Sequence, residues 1–166
     1  VATRAVSKKA AYEKLGCRAV ASYPDVDEIR MDSTFQKWRR MPLAWRDPEP
    51  LRSAIREADR VFLAGGAYFY SYRALFPGLT FLSHLSAAHW ARRFRKPLVM
   101  LPQSYGPFVS PVSGILFDQV VQRAAAVFYR EEISGEWLRR SFPRMTDKIQ
   151  FCPDMALYLT HEDVAV

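Results

Sequence analysis

Several short apolar runs in this chain end in groups able to grip an anion. The run Val61-Phe62-Leu63-Ala64 passes into Gly65-Gly66, and Leu98-Val99-Met100-Leu101 passes into Gln103-Ser104 and then Gly106-Pro107. Val127-Phe128-Tyr129 ends in Arg130, and Ile149-Gln150-Phe151 is followed by Pro153-Asp154. Paired glycines let a backbone approach a ligand closely. An arginine guanidinium matches carboxylate and phosphate bidentately. Gln103 and Ser104 would add an amide and a hydroxyl, and Asp154 a carboxylate.

Each residue also has a purely structural reading. Gly65 and Gly66 would serve positive φ in a turn, and Gly106 with Pro107 would fix another. Gln103 and Ser104 would cap a helix. Arg130 would pair with Glu131, Glu132 or Asp154; Asp154 would cap the segment after it, and Ser134 would satisfy a helix terminus.

Metal and hydrolase chemistry find little support. His84 and His89 are five residues apart, about 140° around a helix, which suits shared ligation poorly. His89 continues a leucine stripe and reads as a boundary histidine, and His161 lies near the end. No Cys/His/Asp cluster has metal-ligand spacing, so no metal is expected. No G-x-S-x-G or Cys–His signature is present.

The elements that must carry these residues follow from periodicity. Helices are predicted over 3–16, 25–40, 49–58, 75–94, from Pro111 onward, and over 131–142. Strands are predicted at 18–23, 60–64, 96–101, 125–129 and 148–154. In the long helix Leu75, Leu79, Leu82 and Leu85 form the apolar stripe. In the next, Ser110-Pro111 reads as an N-cap and first-turn proline, with Val112, Leu116, Val120 and Ala124 facing inward. Ile133, Trp137 and Leu138 share a side of the last helix, and 155–159 is a short apolar tail. Short apolar strands alternating with amphipathic helices predict an α/β fold, a Rossmann-like parallel sheet with helices on both faces. Ligands bind such sheets outside the carboxyl ends of the strands.

With 166 residues, 49% of them hydrophobic, a single Rossmann-like domain over 1–166 is expected. No apolar run approaches the roughly 20 residues of a membrane span. Cys17 and Cys152 read as free thiols of a reducing compartment, and the charged opening is unlike a signal peptide, so a cytoplasmic protein is expected. The net charge of +7 favours an anionic partner. No zinc-finger, RNP or Walker pattern accompanies it, and nucleic acid is not the expected partner.

The segments DRVFLAGGAYFY, KPLVMLPQSYGPF, AAVFYREEISGEWL and IQFCPDMALYL resemble, in order and spacing, the polysaccharide pyruvyl transferase family. The resemblance spans roughly residues 59 to 159. It rests on the glycine cluster, Gln-Ser-x-Gly-Pro-Phe, Arg-x-x-x-Ser and Pro-Asp. Ala64 stands where a glycine is usual, and Glu131 where aspartate is usual.

The resemblance implies a two-lobed GT-B-like architecture, of which this chain would be most of the N-terminal lobe. The first strand, the C-terminal lobe and its Ser-x-Arg-x-His type motif, with the acid/base histidine, would lie outside it, so this chain alone is expected to be inactive. The implied reaction moves a pyruvyl group from phosphoenolpyruvate to two sugar hydroxyls, forming a ketal on a cell-surface glycan or its precursor. No cofactor is implied beyond that donor; the acceptor would be a glycan or lipid-linked oligosaccharide. The implied substrate-binding residues are Gly65, Gly66, Gln103, Ser104, Arg130 and Asp154. Peripheral contact with a membrane-bound acceptor and self-association through the cleft face are compatible with this reading. The alternatives are a non-catalytic anion- or sugar-binding module and a GT-B glycosyltransferase using a nucleotide sugar.

Overall fold

A computed structural model describes residues 2–3, 13–14, 16–18, 20–21, 49–64, 69–71 and 79–158. The chain forms two compact units, Val1–Ala58 and Asp59–Val166.

In the first unit β1 (Ala2–Thr3) pairs in parallel with β2 (Val20–Ala21). The predicted helix over 3–16 therefore begins too early: Thr3 is in a strand, and helix is described at residues 13–14. Its β-branched side chain suits an extended backbone better than a helix. The helix predicted over 25–40 lies outside the described residues. Helix α1 (Glu49–Glu57) buries Leu51 and Ile55, four residues apart on one face. Pro50 sits in its first turn, where no N–H is needed.

The second unit holds a four-stranded parallel sheet in the order β3 (Val61–Leu63), β5 (Leu98–Gln103), β7 (Ala124–Tyr129), β8 (Ile149–Phe151). Helices α2 (Leu79–Arg93), α3 (Pro111–Val121) and α4 (Glu132–Ser141) link these strands. Each step adds a strand on the same side, so right-handed crossovers carry the three helices to one face. On that face Leu63, Leu98, Met100, Val127, Tyr129 and Ile149 are buried. The sheet is the parallel, helix-flanked α/β arrangement of a Rossmann-like lobe.

A small parallel pair, β4 (Phe69–Ser71) and β6 (Tyr105–Phe108), lies outside this sheet. The residues after β5 are thus more than a turn: Tyr105–Phe108 form a strand. An aromatic cluster packs it against the helices. Phe117 of α3 stands 5.1 Å from Phe69, 5.8 Å from Tyr105 and 5.0 Å from Phe108 by ring centroid. Phe108 also meets Phe81 of α2 at 5.4 Å and Trp137 of α4 at 5.0 Å, both edge-on.

Phe117 decides how α3 is rotated. The buried stripe is Ser113, Phe117 and Val121, whereas the predicted stripe's Val112 is 44% exposed and Ala124 belongs to β7. The largest apolar side chain takes the core, and the smaller valines yield it. In α4 the buried residues are Ser134, Gly135 and Leu138, and Ile133 is 78% exposed. In α2 Phe81, Leu85, Ala88 and Ala91 are buried and His89 is exposed. His89 thus falls off the stripe it was expected to continue.

Candidate functional site

The carboxyl ends of β5, β7 and β8 bring Ser104, Arg130 and Asp154 into direct contact. Arg130 donates from Nε to Ser104 Oγ at 3.0 Å and to Glu131 Oε2 at 3.2 Å. Its Nη1 donates to Asp154 Oδ2 at 2.6 Å, a short charge-assisted bond. The second terminal nitrogen, Nη2, has no hydrogen-bond partner among the described residues. The side chains of Arg130, Glu131 and Asp154 are 30%, 36% and 40% exposed, so the cluster opens to water.

A second layer fixes this cluster from beneath. Ser134 Oγ accepts the Tyr105 N–H at 2.9 Å and donates to Glu131 Oε1 at 2.5 Å. Because Ser104 and Tyr105 are adjacent, a ring closes: Tyr105 N–H, Ser134, Glu131, Arg130, Ser104. The two oxygens of Glu131 divide the work, one held by Ser134 and the other holding Arg130. Ser134 thus ties α4 to β6 and does not cap its own helix; the cap residue of α4 is Glu131, whose side chain makes no capping bond.

Two glycines allow the close approach that the ring needs. Gly106 has φ +72, and a Cβ there would stand 2.8 Å from the Trp137 ring. A Cβ on Gly135 would stand 2.5 Å from the Tyr129 ring. Both contacts press α4 against the ends of β6 and β7.

Gln103 is placed differently from Ser104. It is fully buried at the last position of β5, where Nε2 donates to Tyr105 Oη at 3.1 Å and Oε1 has no hydrogen-bond partner among the described residues. Tyr105 Oη donates in turn to the Phe128 carbonyl at 3.1 Å. Burial pushes the Tyr105 phenol well above its usual range, with the Gln103 hydrogen bond opposing in part. The neutral phenol is the form this pocket holds. Gln103 therefore braces the strand ends from inside, while Ser104, Arg130 and Asp154 reach the surface. Gly65 and Gly66 lie outside the described residues.

Of the acidic partners open to Arg130, the structure selects Glu131 and Asp154; Glu132 pairs with Arg139 at 3.8 Å. Sequence reading named Ser134 only as a helix-end residue and did not single out Tyr105. The signal for both lay in the joint occurrence of the Gln-Ser-x-Gly-Pro-Phe and Arg-x-x-x-Ser segments, which meet in one ring. Among the described residues no group of three or more His, Cys, Asp or Glu side chains could hold a metal, and Cys152 is a free thiol.

The family model described as polysaccharide pyruvyl transferase matches residues 14–165. The chain belongs to the polysaccharide pyruvyl transferase family. No curated protein and no solved structure matches it. The family is one of transferases acting in polysaccharide biosynthesis, so a glycan is the acceptor class. Three of the four segments that suggested this family, those carrying Ser104, Arg130 and Asp154, meet at Arg130. No described helix is long and apolar enough to cross a membrane.

Proposed function

We propose that the protein transfers a pyruvyl group from phosphoenolpyruvate to two hydroxyls of a glycan, forming a ketal and releasing phosphate. The observation that supports this most is the clamped Arg130, whose Nη2 has no partner among the described residues while Nε and Nη1 are occupied. A guanidinium held on two nitrogens is already oriented, so little side-chain freedom is lost when the third meets an anion.

In the proposed reaction one sugar hydroxyl adds to C2 of the enol, and the methylene carbon gains a proton to become methyl. The C2–O bond to phosphate breaks, and a second hydroxyl closes the ketal. One hydroxyl proton ends on the methyl group and the other leaves with phosphate. Arg130 would hold the donor's carboxylate or phosphate, with Ser104 beside it. Asp154 would keep Arg130 in place and accept from an incoming sugar hydroxyl. Gly65 and Gly66 would supply backbone N–H groups to the same anion.

The charge balance sets a further requirement. Glu131 and Asp154 together outweigh the single positive charge of Arg130. A donor carrying both carboxylate and phosphate therefore needs additional cations, which we assign, with the acid/base histidine, to a second lobe facing this edge.

The test is an incubation of the full-length protein, second lobe included, with phosphoenolpyruvate and a panel of oligosaccharides bearing neighbouring free hydroxyls. Phosphate release and acceptor mass are followed together. Turnover that Arg130→Ala abolishes is the expected result. Wild-type rates in that variant would remove Arg130 from the donor site. Donor binding without turnover, with the second lobe present, would make the chain a binding module, and preference for a nucleotide sugar would make it a glycosyltransferase.

A further inference from the structure

The opposite edge of the same sheet carries a different arrangement. Every strand of the parallel sheet is entered through a basic residue: Arg60 before β3, Lys96 (one residue removed) before β5, Arg123 before β7 and Lys148 before β8. Because the four strands run parallel, these positions share the amino-terminal edge. Lys148 starts higher on the edge, but its Nζ reaches back to the Gln122 carbonyl at 3.5 Å, beside Arg123. Arg92, Arg93 and Arg95 at the end of α2, and Arg144 before β8, enlarge the group.

Six of these eight side chains are exposed, and none has a carboxylate partner among the described residues. The acidic residues on this edge are Asp59, Asp118 and Asp147, and Asp118 is engaged by Gln122. Arg139 and Arg140, in the last turn of α4, pair with Glu132 and Glu136. Among the described residues the structure thus neutralises one set of arginines and leaves the edge set without carboxylates.

Helix chemistry explains part of this pattern. Arg92 and Arg93 complement the negative end of the α2 dipole. It does not explain Arg95. The Lys96 N–H bonds the Ala91 carbonyl and the Arg95 N–H bonds that of Arg92, the paired bonds of a Schellman cap. Arg95 occupies the left-handed position of that cap, φ 55, where glycine is the unstrained residue. A basic side chain stands there at a conformational cost. Beside it Trp90 and Phe94, half-buried, stack with ring centroids 5.5 Å apart. Their faces meet each other, which suits the headgroup region of a bilayer better than stacking on bases.

We propose that this amino-terminal edge is a docking platform for an anionic lipid surface. It goes beyond the pyruvyl-transfer reading and does not depend on it. The donors sit on the starts of neighbouring parallel strands and therefore face one direction, as a planar partner requires. The Arg130 cluster lies at the other end of the sheet, a strand length of about 20 Å away, and stays open to solvent when the platform is seated.

The experiment is co-sedimentation of the whole chain with vesicles of phosphatidylcholine alone and of phosphatidylcholine mixed with phosphatidylserine. Binding is expected only to the mixed vesicles and is expected to fall with added salt. Each edge charge removed should weaken partition about fivefold, so Arg123→Gln loses about fivefold and Arg93→Gln with Arg123→Gln about 25-fold. Arg95→Gly, which relaxes the α2 cap, should bind more weakly while melting no earlier than wild type. Ile133→Glu changes net charge by the same amount as Arg123→Gln but at the first turn of α4, on the opposite edge. It should bind within about twofold of wild type. The proposal fails if the double variant binds like wild type, or if Ile133→Glu loses as much as Arg123→Gln. It fails equally if the protein binds duplex DNA through this edge and ignores phosphatidylserine.

Discussion

Replacing Ser134 by alanine removes one hydroxyl and interrupts the ring that carries Arg130. The side chain is 2% exposed, accepts the Tyr105 N–H at 2.9 Å and donates to Glu131 at 2.5 Å. Tyr105 is itself buried, so its amide loses its partner and gains no water. An orphaned buried amide costs about 1–3 kcal/mol. The Glu131 side chain is 36% exposed, and water can take over its vacated oxygen, so that term is small. A loss of about 1–3 kcal/mol is therefore expected, mostly from the amide. It should lower the urea midpoint at unchanged slope, because the surface exposed on unfolding is the same. Hydrogen exchange at the Tyr105 amide should accelerate, and Ser134→Thr, which keeps a hydroxyl, should lose less. A change below about 0.5 kcal/mol with unaltered Tyr105 exchange would refute the ring, since that is the range of an uninvolved surface substitution.

Tyr105→Phe leaves the Phe128 carbonyl and the Gln103 amide without their shared partner and should cost about 1–3 kcal/mol at neutral pH. Burial raises the folded-state phenol above its unfolded value. The wild-type stability from this group is therefore complete below about pH 10 and declines above it by about 1.4 kcal/mol per pH unit. The phenylalanine variant lacks that decline, which denaturation on either side of pH 10 would reveal. Gly135→Ala drives a methyl to 2.5 Å from Tyr129, and Gly106→Ala combines φ +72 with a 2.8 Å contact to Trp137. Each should lose at least about 1–3 kcal/mol in thermal or urea denaturation. Gly114→Ala, with nothing within 4 Å of its added methyl, should instead stabilise α3 by about 0.5–1 kcal/mol.

Much of the fold was legible because hydrophobic period and turn residues agree in the second unit. Strands 61–63, 98–103, 124–129 and 149–151 fall where apolar runs do, and helices α2, α3 and α4 fall between them. Which face each helix turns inward was less legible. Phe117 and Ser113 outcompete Val112 and Leu116 for the interior because β6 presents Tyr105 and Phe108 to that side of α3. β6 itself was hidden, since Gly106 and Pro107 signal a turn while tertiary pairing with β4 makes an extended segment. At the site, the clustering of Arg130, Ser104 and Asp154 could be read from residue type and position at strand ends. The inward turn of Gln103 could not, because Ser104 and Gln103 point to opposite sides of one extended backbone. The role of Ser134 depends on a contact across 29 residues, which no local pattern encodes.

The central claim is that Arg130, clamped by Ser104, Glu131 and Asp154, offers its remaining nitrogen to the donor's anion. Titration calorimetry of phosphoenolpyruvate against wild type and Arg130→Gln tests it directly. A charge-assisted hydrogen bond of about 1.5–3 kcal/mol predicts a Kd raised about 10- to 150-fold in the variant. An unchanged Kd, with the variant folded, would contradict it.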